Sequence, residues 1–282
     1  MNRSSFWKRF WRRCRANPIT LASLVVLALI LLTAVVGPLL APYDPLKPDF
    51  LALSQGPSAK HWFGTDQLGR DVFSRVLHGA GYSISIGLLS VALGLVLGAV
   101  MGLVAGFVGG RVDAWLMRVV DVLLAFPGIL LAILIVSIFG SSYVNVVVAL
   151  AFFSVPTFAR IARASTLSIR NLDYVQAAEA LGVHPLRIMF RHILPNATAP
   201  LVVYSTLRCA SAILGGAALS FLGLGVAPPT PEWGLMIAQA REALRSAPHI
   251  MLFPGLAIFL TVLAVNILGD ALRDVLDPKL KT

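Results

Sequence analysis

Glu179, His184, Arg187, Arg191 and His192 share the stretch YVQAAEALGVHPLRIMFRHILPN, residues 174 to 196, which reads as water-compatible protein inside a chain that is otherwise mostly uncharged hydrocarbon. Their spacing suits recognition better than bond-making. His61, His78, His184, His192 and His249 show no metal-ligand spacing, and there is no G-x-S-x-G nucleophile elbow. No G-x-x-x-x-G-K-[ST] occurs either: Lys8, Lys47, Lys60, Lys279 and Lys281 all lack the preceding glycine that a phosphate-cradling loop needs. No catalytic residue, cofactor or metal site is therefore assigned to this chain.

The elements that must position this stretch lie in a bilayer. With 57% hydrophobic and 13% charged residues over 282 positions, the composition is too apolar for a soluble domain. The net charge of +10 does not form one patch, so nucleic acid is not an expected partner; the cations punctuate apolar runs. Charge-poor stretches long enough to cross a hydrocarbon core of about 30 Å run roughly Ile19 to Leu40, Ser83 to Phe107, Val119 to Phe139, Val144 to Phe158, Ala199 to Gly223 and Ile250 to Leu268. The class is all-α integral membrane protein with six transmembrane helices.

Arg3, Lys8, Arg9, Arg12, Arg13 and Arg15 precede the first run without an acid, which holds the N-terminus in the cytoplasm; an even number of spans returns the C-terminus there. On that topology the cytoplasmic segments carry an excess of Lys and Arg, and the external ones balance. The first run is too long for a signal peptide and GPLLAPYDP offers no small-x-small cleavage site, so an uncleaved span is expected. The organisation is a basic tail over 1–17, a first span over 18–41, an external segment with a short helix over 42–79, a five-helix core over 80–272 and a cytoplasmic tail over 273–282. The core includes a cytoplasmic segment over 160–198 and an external one over 226–249. Cys14 and Cys209 fall in different compartments and are not expected to pair.

Gly94, Gly98, Gly102 and Gly106 leave a flat stripe along the second span, suited to packing inside one bundle or to contact with a second subunit. In the cytoplasmic segment, Tyr174 to Leu181 is helix-forming and Gly182 stands where a left-handed cap belongs. Pro185 suits the first turn of a second helix, with Leu186, Met189, Phe190, Ile193 and Leu194 on one face and Arg187, Arg191 and His192 on the other. Pro195 is expected to end it. The bland reading is an interfacial amphipathic hairpin joining two spans.

QAAEALG, followed after nine residues by HILP, resembles the EAA loop of ATP-binding-cassette importer permeases, whose pattern is E-A-A, three residues, G, nine residues, I-x-L-P. Ala177, Ala178, Gly182, Leu194 and Pro195 match; Gln176 stands for the Glu and His192 for the Ile. HWFGTDQLGRDVFSRVLHGA from His61, AFPGILLAI from Ala125, LSFLGLGVAPPTPEWG from Leu219 and LGDALRDVLDPKLK at the end extend the resemblance to the C-type permeases of the dipeptide, oligopeptide, glutathione and nickel importers.

The resemblance implies a type I importer permease fold in a bacterial inner membrane. It implies a homologous B-type permease, two ATPase subunits that bind ATP and Mg, a periplasmic or extracellular substrate-binding protein, and surrounding membrane lipid. Gln176, Ala177, Ala178, Glu179, Gly182, His184, Arg187, Arg191, Leu194 and Pro195 would then couple to the ATPase. Short peptides are the expected cargo, with glutathione or nickel chelates as the alternative and a self-contained secondary transporter a less favoured reading. Asp66, Arg70 and Asp71 in the first external segment, and Glu232, Trp233 and Arg241 in the last, are candidates for docking the binding protein; for the first three, capping and pairing at a helix start is the safer reading. Arg208, inside the fifth span, is a candidate for the translocation path or for an inter-helix hydrogen bond.

Overall fold

The computed structural model describes residues 11–276 except Arg13; most of the expected basic tail and the end of the C-terminal tail lie outside the described residues. Helix α1, Pro18–Leu40, starts where Asn17 Oδ1 accepts from the Ile19 N–H at 2.9 Å and Pro18 fills the first helical position. Helix α2, Val72–Val108, starts earlier than the apolar run at Ser83, because Asp71 Oδ2 accepts from the Ser74 N–H at 2.7 Å and caps it. It stops at Gly109, which sits at φ 72°, where a residue without Cβ is favoured. The expected short external helix is thus the first turns of α2.

Helices α3, Gly110–Ala125, and α4, Gly128–Phe139, replace the single straight span expected over Val119 to Phe139 and meet at 90°. The cause is Pro127: it has no N–H for the ladder, and it pushes Phe126 into extended backbone, φ −86° and ψ 135°. Helix α5, Tyr143–Arg170, starts on the Ser142 cap and runs twelve residues past its expected end at Phe158. Helix α6, Asp173–Ala180, is followed by α7, Pro185–Phe221, then α8, Trp233–Ala240, and α9, His249–Leu276. Among the described residues five helices are long and apolar enough to cross a membrane, and α3 with α4 makes a sixth crossing when counted as one broken span.

Pro195 does not end a helix. Residues Met189–Ile193 form a π turn in which the Leu194 N–H reaches back to the Met189 carbonyl. The wider turn lets a proline, which needs no N–H partner, continue the helix instead of colliding with the preceding turn. The loop expected over 160–198 contracts accordingly: only residues 171–184, with α6, stand outside the two long helices.

Helices α2, α5 and α9 run one way and α1 and α7 the other, so one end of the bundle carries α6 and the other carries residues 41–71 and α8. The most extensive helix contact is α2 against α5. There the glycine stripe is spent within the chain: a Cβ at Gly98 would lie 2.5 Å from Phe158 Cβ, and one at Gly102 would lie 2.2 Å from the Ala159 carbonyl oxygen. Gly94 and Gly106 face Ser154 and Thr166 in the same way. Phe158 and Ala162 of α5, Val91 of α2, and Leu201 and Ala212 of α7 close the centre of the bundle.

Candidate functional site

At the α6 end, the chain leaves α5 at Arg170, turns, and folds α6 back under α2. Val175 of α6, with Ile188, Met189 and Ile193 of α7, is buried against Leu103 and Phe107 near the end of α2. Arg170 locks the corner: its Nη1 donates to the Phe107 carbonyl at 2.7 Å, its guanidinium lies 5.3 Å from the Phe107 ring centre, and its Nε is 3.4 Å from Glu179 Oε1. Helix α6 ends in a double turn. The Gly182 N–H donates to the Glu179 carbonyl and the Val183 N–H to the Ala178 carbonyl, the Schellman pattern, with Gly182 at φ 73°. Nothing lies within 4 Å of where a Gly182 Cβ would be, so backbone geometry alone calls for glycine there.

The buried face of the second helix differs from the expected one. Ile188, Met189 and Ile193 point inward, while Leu186 is 55% and Phe190 58% exposed. The π turn rotates the register between the start of α7 and its long remainder, which moves Phe190 off the inner face. Leu186 and Phe190 share the outer surface with Leu172, Tyr174 and Leu181, the last 84% exposed. Gln176, Ala177, Glu179, His184, Arg187, Arg191 and Pro195 are exposed too; Ala178, His192 and Leu194 are half-buried. The result is an apolar patch with arginines at its margin, held on a rigid support.

At the opposite end the expected docking residues are inside the protein. Asp66 accepts from the N–H groups of Leu68 and Arg70, and its Oδ2 lies 2.7 Å from Arg70 Nε and 3.5 Å from Arg75 Nε. Asp71 caps α2 and lies 2.9 Å from His61 Nδ1. Asp66, Arg70, Asp71, Arg75 and His61 are all buried. Glu232 is 2% exposed and caps α8, accepting from the Gly234 and Leu235 N–H groups and from the hydroxyls of Ser83 and Ser220 at 2.8–3.0 Å. Trp233 is buried, with its Nε1–H on the Val76 carbonyl at 2.9 Å. Five of the six docking candidates therefore cross-link the fold and present no surface; of that set Arg241 is exposed, over the Phe221 ring at 5.5 Å. Sequence reasoning missed Arg75 and the two serines; Asp71, Ser74 and Arg75 at cap spacing were the signal for the first.

Arg208 is half-buried in α7. Its Nη2 donates to Ser154 Oγ of α5 at 3.1 Å, and its guanidinium carbon lies 4.3 Å from the Phe153 ring centre. Among the described residues it has no carboxylate at ion-pair distance, and its Nε is buried without a partner. Cys14 and Cys209 are free thiols.

Residues 94–282 match the family described as binding-protein-dependent transport system inner membrane component, and residues 5–57 match the N-terminal TM domain of oligopeptide transport permease C. Over 277 residues, 98% of this chain and 91% of the relative, the sequence is 53% identical to the glutathione transport system permease protein GsiD of Salmonella paratyphi A. The protein of the same name in Escherichia coli O6:K15:H31 is 48% identical over 276 residues, again 98% of this chain and 91% of the relative. In fold, the chain superposes on an inward-facing MetNI methionine ABC transporter with TM-score 0.59 at 19% identity, over 71% of this chain and 96% of that one. An amino acid ABC transporter gives TM-score 0.53 at 18% identity, over 71% and 92%. The chain belongs to the binding-protein-dependent transport system inner membrane component family: it is a permease subunit of an ATP-binding-cassette importer, a multi-pass inner membrane protein and not an enzyme, with ATP hydrolysis left to a separate subunit.

Proposed function

We propose that this permease imports glutathione, and that the exposed face of α6 and the start of α7 is where a partner ATPase drives it. One observation carries the coupling half. Leu172, Tyr174, Leu181, Leu186 and Phe190 are exposed on a segment whose other side is buried against α2 and clamped by Arg170. An apolar, arginine-bordered helix pair on a rigid base suits a helix-in-groove contact. Force on it passes directly into α2 and α7, and ATP must favour one packing of the spans over another to do work. Gln176, in place of a glutamate, leaves the partner a neutral amide to meet.

The cargo half is supported by relatives that share about half of all residues across nearly the whole chain and are named for glutathione transport. This favours the alternative reading over short peptides in general; the N-terminal likeness to an oligopeptide permease keeps related peptides as the second cargo class. The working assembly pairs this chain with a B-type permease, two ATPase subunits holding ATP and Mg, and a substrate-binding protein. The α6 end and both termini then face the cytoplasm, as the basic N-terminal segment favours.

Leu186→Glu combined with Phe190→Glu tests the docking face. Retention of the ATPase in a pull-down should fall by at least tenfold, and ATP-dependent glutathione uptake with it. Unchanged retention would remove this face from the coupling contact.

A further inference from the structure

Arg208 has more donors than this chain satisfies. It projects from α7 about 14 Å along the axis from Ala199, at ~1.5 Å per residue, which places it well inside the hydrocarbon depth. A cation there is expensive unless it meets protein, water or an anion. Ser154 Oγ takes one N–H at 3.1 Å, and the Nε is buried without a partner. Aspartate and arginine pair elsewhere in the molecule, Arg163 with Asp113 and Arg160 with Asp121, but no described carboxylate pairs with Arg208.

What surrounds Arg208 is built. The Ser154 hydroxyl is buried, donates to the Leu150 carbonyl at 3.1 Å, and is pinned from behind by Gly94, where a Cβ would lie 2.8 Å from Ser154 Cβ. The Phe153 ring that carries the guanidinium occupies the space beside Gly128, where a Cβ would come within 1.8 Å of the ring edge. Gly128 is the first residue of α4, immediately after the 90° break. Three elements thus converge on one guanidinium: α7 supplies it, α5 holds it by a hydroxyl and a ring face, and the broken span makes room for that ring.

We infer that Arg208 is the residue that recognises a carboxylate of the cargo during its passage, with Ser154 and Phe153 as positioning residues. The inference rests on the proposed cargo: glutathione carries two carboxylates and one ammonium, so it crosses as an anion and needs a cation inside the membrane. A guanidinium held by one Nη and one ring face keeps its remaining N–H donors in a fixed plane, the geometry that suits a carboxylate.

The test uses the complete transporter in proteoliposomes with its binding protein. Uptake is measured for glutathione and for its diethyl ester, which lacks both carboxylates, in wild type, Arg208→Gln, Arg208→Lys and Ser154→Ala. Expected is a loss of at least tenfold in glutathione uptake for Arg208→Gln, partial recovery for Arg208→Lys, a smaller loss for Ser154→Ala, and little further loss for the ester on substitution. Equal loss for both substrates, or no loss for either, overturns the inference. So does collapse of the complex on Arg208→Gln, which would make Arg208 a partner to a carboxylate of the second permease. Absence of glutathione uptake by wild type would instead overturn the cargo reading, and this inference with it.

Discussion

Placing a single methyl on the glycine stripe of α2 should destabilise the bundle by forcing α2 and α5 apart. At Gly102 the added Cβ would lie 2.2 Å from the Ala159 carbonyl oxygen, 2.7 Å from Ala162 Cβ and 2.7 Å from the Arg163 N. Two of these are backbone atoms of α5 and cannot swing away. Restoring an ordinary contact of 3.4 Å requires the helices to part locally by about 1.2 Å. Overpacking of this kind costs ~1–3 kcal/mol, and at ~2–4 °C per kcal/mol Gly102→Ala should lower the melting temperature of the purified complex by roughly 2–12 °C. Gly255→Ala in α9 is the matched control, because nothing lies within 4 Å of its Cβ position. There the helix gains propensity, by at most ~1 kcal/mol. Tryptophan fluorescence during a thermal ramp in nanodiscs reads both. If Gly102→Ala melts no lower than Gly255→Ala, the close approach of α2 and α5 is not what the structure describes.

The same reasoning extends to the other built features. Glu232→Gln keeps the shape but halves the acceptors for two N–H groups and two hydroxyls, so stability should fall by ~1–3 kcal/mol in the same thermal assay, while Arg241→Ala, exposed, should stay within ~0.5 kcal/mol. Asp66→Ala strands Arg70 and Arg75 in a buried site and should cost ~3–5 kcal/mol, seen as earlier proteolysis of residues 41–71. Pro127→Ala should relax the break between α3 and α4; spin labels at Trp115 and Ile138, both exposed, should move apart, and an unchanged distance would mean that packing on Phe153, not proline, sets the bend.

Much of the fold was legible because its signals are local. Asn17–Pro18, the Asp71 cap, and Gly182 after a run of helix formers each announce an end through backbone chemistry that a neighbour cannot override. The fourfold glycine repeat announced a close helix contact for the same reason. Prolines misled in both directions. Pro127 breaks a span that hydropathy reads as continuous, and Pro195 fails to stop a helix because a π turn accommodates it, and hydropathy marks neither. At the external end the difference has another cause: Glu232 and Trp233 lie outside the apolar runs and are expected at a docking surface, whereas capping and pairing is the safer reading for Asp66, Arg70 and Asp71. Glu232 and Trp233 are instead buried against Ser83, Ser220 and Val76, and residues 41–71 fold into a small cap where Asp66, Arg70 and Asp71 pair or take up N–H groups. Arg208 was visible as an isolated charge in a span; its hydroxyl and ring partners on α5, far away in sequence, were not.

The claim that the α6–α7 segment transmits ATP-driven motion is tested most directly at Gly182. Proline there cannot adopt φ 73° and removes the N–H that Glu179 accepts, whereas alanine meets no neighbour within 4 Å and bears only the left-handed strain of ~1–2 kcal/mol. ATP-dependent glutathione uptake by the complete transporter, measured together with retention of the ATPase subunit, should be abolished and weakened respectively in Gly182→Pro and largely kept in Gly182→Ala. Wild-type uptake and full retention in Gly182→Pro would contradict the coupling role of this segment.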